Sequence, residues 1–456
     1  MEINDTQREK LSNEELKNGW RLACQSSLLD NLVVELRQWD AAILTDDSPF
    51  AFEPRPGLGV AVDLGTTTLV AQLVDLTRGR VLAVRTGLNA QARYGADVMS
   101  RVEYACGESH LSTLTQLIRR QIASLIDQLV FSAKAEQAEI RDVVLVGNTV
   151  MHHLLCGIDV EPLSHNPFES PQTDLMLFRA SDLGWNLNRG ATIRFLPCLG
   201  GFVGSDVLAG VLATRLSESK EMGALIDLGT NGEIVVGNSA ELLCASTAAG
   251  PAFEGARISM GMRAATGAIS QVTVHDNRLV CHVLGNAAPQ GLCGSGLVDA
   301  VAAGLDLDII QPSGRFANGR KEWSLDPPVV LTQSDIRELQ LAKGAIAAGF
   351  RILLNRLGAS IDDVKKLYLA GAFGNYIARS SARRIGLIDL PIEQVFPAGN
   401  TALLGAKVAL FSADGENGTY GPLRQKIEHV ALKADGKFQE VFVDQLAFPQ
   451  HSEVRS

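Results

Sequence analysis

At 456 residues the chain has room for roughly two to four domains, and an apolar share of 46% supplies full-sized cores, which excludes a disordered or coiled-coil protein. A net charge of −10 without any long Lys/Arg block argues against nucleic acid or an anionic membrane as the main partner. No apolar run reaches the about 18 residues that cross a bilayer, and the polar amino terminus lacks a secretory h-region, so the chain reads as soluble and cytoplasmic.

Residues 1–25 are polar and helix-like, and 28–44 suit a small strand or helix. A segment rich in Asp and Pro follows, and 26–57 as a whole reads as a linker. At Leu58 the composition changes: GVAVDLG is an apolar strand ended by a turn, and TTLVAQLVDL is a second strand rich in β-branched residues. The pattern predicts an amphipathic helix over 111–130 and a buried strand over 142–148 that feeds a helix near Thr149. FLPCLGG then leads to a helix opening near Ser205 and Asp206.

The first pattern recurs as ALIDLGTNGEIVVGN over 224–238, again strand, Asp-Leu-Gly-Thr turn and strand. Helices over 295–304 and near 334–357, a buried strand over 366–370, a Gly-rich turn and a helix near 401–412 complete the order. Two copies of one unit at domain-scale separation predict a duplicated α/β pair facing one cleft. The basic cluster Arg379, Arg383 and Arg384 reads first as the solvated face of a helix, with a docking surface for an acidic partner as the alternative. The seven cysteines are scattered without CxxC spacing, which removes a local zinc or iron–sulfur framework and any reason to expect disulfides.

Each Asp-Leu-Gly-Thr turn has the chemistry of a phosphate loop. Gly65 and Gly229 let the backbone approach phosphate without a Cβ clash, while Thr66, Thr67, Thr68, Thr230 and Asn231 offer hydroxyl, amide and N–H donors. Asp63 and Asp227 end their strands where a carboxylate can hold Mg²⁺ through water. A single such turn is more often a hairpin, and it is the pair that points to a nucleotide. Gly371, Ala372, Phe373 and Gly374 form a small-residue turn against which an adenine can lie, or a plain strand-to-helix connection. Asp206 is the candidate catalytic carboxylate, orienting or deprotonating a water aimed at the γ-phosphate, with helix capping as the competing role. Asn148, the second candidate catalytic residue, opens with His152 and His153 the other helix facing the expected cleft, placed to touch the phosphates or a substrate, and packing or a surface position is the expected role of the histidines.

The motif order 63–68, 205–213, 227–233, 369–375 and 401–412 resembles the actin-like superfamily of sugar kinases, chaperone ATPases and actin. That resemblance implies two ribonuclease H-like lobes around a nucleotide cleft, with lobes at 58–222 and 223–400 and a connecting helix plus carboxy-terminal segment at 401–456. Narrower runs resemble the reductive activators of corrinoid proteins. They are Val62–Thr68, Val146–Leu155, Ala249–Ala256, Gly291–Leu297 and Ala370–Asn375, with weaker echoes at Lys426–Val430 and Phe448-Pro449.

Membership would imply ATP and Mg²⁺ as ligands and a corrinoid protein of a methyltransferase system as partner. The reaction implied is ATP-coupled reduction of Co(II) to Co(I), carried out by a homodimer. Gly19 to Gln25 resembles the end of a ferredoxin-like 2Fe-2S domain, with Cys24 matching its last ligand, so 1–25 reads as a remnant of that domain. One cysteine cannot hold a cluster that needs four ligands. No intact iron–sulfur cluster is expected, and the electron is expected from an external reductant or a separate ferredoxin. Two other readings remain open: a small-molecule kinase of the same fold, and a non-catalytic nucleotide switch.

Overall fold

The computed structural model describes residues 50–229, 231–276, 278–374, 376–412 and 420–450. The expected cluster-domain remnant with Cys24, most of the expected linker, Thr230 and Asn375 lie outside them. What is described of the linker is anchored. Phe50 and Phe52 pack on Phe411, and Arg55 donates to the Leu410 carbonyl at 2.6 Å.

The first lobe opens with an antiparallel meander: β1 (Leu58–Leu64), β2 (Thr68–Asp75) and β3 (Arg80–Leu88). Helices α1 (Val98–Ala105) and α2 (His110–Ala133) follow, then β4 (Ile140–Gly147), α3 (Thr149–Cys156), β5 (Met176–Phe178), β6 (Thr192–Phe195) and α4 (Ser205–Thr214). The sheet order is β3-β2-β1-β4-β6-β5, with β4 and β6 parallel to β1 and β5 antiparallel at the edge. Central β1 is buried along nearly its whole length, which is why LGVAVDL is a continuous apolar run rather than an alternating one.

The second lobe repeats this plan. β7 (Gly223–Leu228), β8 (Gly232–Gly237) and β9 (Leu242–Thr247) form the meander. An insertion carries a three-stranded sheet of β10 (Ala268–His275), β11 (Arg278–Val283) and β12 (Gly291–Leu292), then α5 (Gly294–Asp306) and a hairpin of β13 (Glu322–Asp326) and β14 (Val329–Thr332). The long helix α6 (Gln333–Arg356) leads to β15 (Lys366–Ala370), α7 (Arg379–Arg384), β16 (Val395–Gly399) and α8 (Thr401–Ala409). A last stretch holds α9 (Tyr420–Lys426), β17 (Ile427–His429) and α10 (Phe438–Asp444). The order β9-β8-β7-β15-β16 matches β3-β2-β1-β4-β6 strand for strand, with β17 added beside β9. The duplication read from two short turns is therefore a duplication of whole sheets.

Each lobe has its own apolar core, and a third cluster joins them. It brings Val70, Val144 and Val146 of the first sheet and Leu225, Val235 and Leu242 of the second together with Leu208 of α4 and Leu403 of α8. The two helices thus cross between the sheets. The carboxy-terminal stretch pairs with the second sheet and also reaches back to the first lobe, through Arg424–Asp174 at 2.6 Å and His429–Glu169 at 3.2 Å.

One expectation needs correction. The basic residues of α7 are not a solvated face. Arg384 is buried, donating to Asp306 and to the Pro449 carbonyl, while Arg379 donates to the carbonyls of Ile392 and Val395. Their charges hold chain segments together.

Candidate nucleotide site

In both sheets the two Asp-Leu-Gly-Thr turns lie at the carboxyl end of the central strand, where open α/β sheets place their ligands. Asp63, the last residue but one of β1, lies beside Val146 of β4, and Asp227, the last but one of β7, lies beside Ala370 of β15. The loops that follow β4 and β15 begin with Asn148 and Gly371, so register alone delivers those sequence motifs to the two turns.

The first turn is tightly held. The Gly65 N–H donates to the Thr68 carbonyl, and a Cβ on Gly65 would sit 2.5 Å from that same oxygen. Asn89 donates its side-chain amide to the Gly65 carbonyl at 2.9 Å and its backbone N–H to the Thr67 carbonyl at 2.8 Å. Asn148 caps α3 by accepting from the Met151 N–H, and its amide donates to the Thr66 hydroxyl at 2.9 Å. Thr66 and Thr67 are half-buried and Thr68 is exposed.

In the second turn the Gly229 N–H donates to the Asn231 carbonyl at 3.0 Å. Gly371 has φ +84° and lies so close that a Cβ there would be 2.5 Å from the Asp227 carboxylate and 2.7 Å from the Leu228 carbonyl. Here glycine is required twice over, by conformation and by space. Residues Gly371–Gly374 form a single helical turn. The Phe373 ring turns inward, stacked on Phe253 with centroids 4.7 Å apart, so the turn presents backbone rather than an aromatic face. Phe253 lies in the Ala249–Ala256 motif. A Cβ on Gly294 would fall 1.8 Å from its carbonyl oxygen, which explains the glycine that opens α5.

Four carboxylates share the cleft. Burial pushes Asp63 up to about 6, opposed by the Asn400 amide that donates to it at 2.8 Å. Burial also lifts Asp206 to about 7; the Val207 N–H works against the shift and the Asp63 charge adds to it. Asp227 rises to about 7 through burial and the charges of Asp206 and Asp63. Glu233, directly opposite Asp227 on β8, stands well above its ordinary value through burial and the charges of Asp206 and Asp227. These acids come from β1, α4, β7 and β8, so two lobes converge on one electronegative patch. Among the described residues no three His, Cys, Asp or Glu side chains are close enough to ligate a metal directly. A cation bridged by water suits this spacing, and the acids' mutual repulsion is what such a cation relieves.

The first turn of α4 carries Asp206, but Gly204 takes the N-cap position, where a Cβ would lie 2.1 Å from the Gly147 carbonyl. His152 and His153 are fully buried. His153 bonds the Thr149 carbonyl and the Ser170 hydroxyl, and burial depresses His152 to about 3. Their role is packing, as expected. Glu233, Asn89 and Asn400 were not foreseen. The usable signal for Asn400 is that Gly399-Asn400-Thr401 repeats Gly147-Asn148-Thr149.

Residues 58–219 match the RACo middle region, and residues 221–455 match the C-terminal domain of RACo, the ASKHA domain. The chain is 35% identical over 431 residues to the corrinoid activation enzyme RamQ of Eubacterium limosum, covering 88% of this chain and 72% of that protein. It is 26% identical over 380 residues to a [Co(II) methylated amine-specific corrinoid protein] reductase of Methanosarcina barkeri, covering 76% and 69%. Among solved structures, a reductive activator for corrinoid, iron–sulfur protein superposes with a TM-score of 0.76 at 33% identity, covering 87% of this chain and 67% of that one. With paired actin-like sheets, two Asp-Leu-Gly-Thr turns and this likeness along most of its length, the chain belongs to the RACo family of reductive activators of corrinoid proteins.

Proposed function

We propose that this protein binds and hydrolyses ATP to drive reduction of a corrinoid protein from Co(II) to Co(I) in a methyltransferase system. The observation that carries the nucleotide half is the convergence of Asp63, Asp206, Asp227 and Glu233 on two glycine turns from facing lobes. Family membership carries the corrinoid half.

In this reading Asp63 and Asp227 hold Mg²⁺ through water, and the N–H and hydroxyl groups of Gly65 to Thr68 and Gly229 to Asn231 take the phosphates. The Gly371–Gly374 turn receives the adenosine. When bound, Mg²⁺ neutralises phosphate charge during transfer. Asp206 orients the attacking water and can accept its proton, since a carboxylate lifted to about 7 is a competent base near neutral pH. Asn148 keeps Thr66 turned toward the phosphates.

The electron is supplied by a reductant or a ferredoxin. Co(II) gains one electron, the donor loses one, and ATP hydrolysis changes the complex so that the uphill transfer proceeds. A homodimer is the form we expect to act.

The test combines purified protein, a Co(II) corrinoid protein, a reductant and ATP, with Co(I) followed by its absorbance. Co(I) should form only when ATP and this protein are both present. Equal Co(I) formation without ATP, or no ATP hydrolysis in any mixture, would remove the reading.

A further inference from the structure

We propose that Asn400 is a positioning residue for the nucleotide chemistry, holding the Asp63 carboxylate from the second lobe as Asn148 holds Thr66 from the first. This rests on the ATPase reading above and names a residue that neither the motifs nor the family likeness assigns.

The two asparagines do the same two jobs. Asn148 accepts the Met151 N–H at 3.0 Å to cap α3 and donates to Thr66 at 2.9 Å. Asn400 accepts the Leu403 N–H at 2.8 Å to cap α8 and donates to the Asp63 Oδ2 atom at 2.8 Å. Each helix cap thus fixes the side chain whose amide then grips the first phosphate turn, and an N–H donor on a carboxylate is among the stronger hydrogen bonds.

The two grips differ in origin. Asn148 and Thr66 belong to one lobe, whereas Asn400 follows β16 of the second sheet and Asp63 is the last residue but one of β1 of the first. The bond therefore crosses the junction between lobes. Helix α8 also crosses α4 at backbone contact, with Gly405 against the Ala209 carbonyl, and α4 carries Asp206. Asn400 stands where the chain leaves β16 of the second sheet and enters α8, so its grip ties the end of β1 to this crossing, next to the helix that carries Asp206. The plain alternative is that Asn400 only caps a helix.

Two variants separate these roles. Serine caps helices about as well as asparagine but cannot donate an amide proton across this gap, so N400S keeps the cap and loses the grip, while N400A loses both. Hydrogen exchange of the ligand-free protein reads the grip without any chemistry. In N400S the amides of 63–68 should exchange faster while those of α8 stay as in the wild type. In Mg²⁺-dependent ATP hydrolysis N400S should lower kcat about tenfold and raise the Mg²⁺ concentration for half-saturation severalfold. Exchange in 63–68 unaltered by N400S, with kcat and Mg²⁺ dependence equal to wild type, would overturn the positioning role and leave the ATPase reading intact. Wild-type protein that hydrolyses no ATP would instead remove that reading and with it any catalytic meaning of the grip.

Discussion

A Cβ built on Gly405 of α8 would lie 2.0 Å from the carbonyl oxygen of Ala209 on α4, so the two connecting helices meet backbone to backbone. Gly210 beside it makes room for side chains instead, since a Cβ there would lie 2.7 Å from Leu225 of β7 and 3.1 Å from the Thr401 hydroxyl of α8. This crossing sits in the apolar cluster shared by both sheets, and it fixes how the lobes face each other.

Replacing Gly405 with alanine inside a helix would ordinarily gain up to about 1 kcal/mol. Here the added methyl must push α8 away from α4, and overpacking of this kind costs about 1–3 kcal/mol. Urea unfolding of G405A should therefore show a loss of stability. A gain would mean that the crossing has slack.

Asp206→Asn should leave the fold intact, because Gly204 and not Asp206 occupies the N-cap. Loss of a general base typically lowers turnover by about 10²–10⁴-fold. Binding of a non-hydrolysable ATP analogue should hold or tighten, since one of four neighbouring acids is neutralised. Turnover and calorimetric affinity measured side by side check this. Wild-type turnover in D206N would reduce Asp206 to an element of helix architecture.

Much of this candidate site was legible because its carboxylates, glycines and donors lie in short runs. Asp63 through Thr68 and Asp227 through Asn231 carry their turn, glycine and donors within a few residues, and the repeat of that run announced the duplicated fold. What was not legible is joined across the chain. Glu233 enters the site only because β8 returns beside β7 in a register that sets it opposite Asp227. Asn400 enters only because β16 ends where α8 turns back toward the first lobe. The Arg379 to Arg384 cluster misled for the converse reason: composition counts charges but not the carbonyls waiting for them.

The stack of Phe373 on Phe253 decides what the Gly371–Gly374 turn can offer a nucleotide. Truncating either ring to alanine should cost about 3–5 kcal/mol, as for other buried aromatics. Phe373→Leu preserves most of the volume and should keep nucleotide affinity near wild type, because the ring faces the core rather than the cleft. Affinity measured by calorimetry in F373L checks it. A tenfold loss without a fall in melting temperature would place the ring against adenine.

The carboxylates also give the site a pH signature. Asp63 and Asp227 are raised to about 6 and about 7, so without a cation the folded protein binds more protons than the unfolded chain between roughly pH 4 and 7. The stability these groups contribute is full below their unfolded pKa and is lost as pH rises through 6 and 7. The buried His152 acts in the opposite sense, since its depressed pKa favours folding above about pH 6.5, so the melting temperature of the free protein alone is not diagnostic. His152 contributes alike with and without ligand, and the difference between the two states isolates the cleft. On the proposed reading Mg²⁺, carrying the nucleotide, binds the acids in their ionised form, whose mutual repulsion the cation relieves. The rise in melting temperature on adding Mg²⁺ and an ATP analogue should therefore be larger at pH 7.5 than at pH 5.5. In Asp227→Asn that pH dependence should flatten. A ligand-induced rise that is the same at both pH values in the wild type would detach these acids from metal–nucleotide binding.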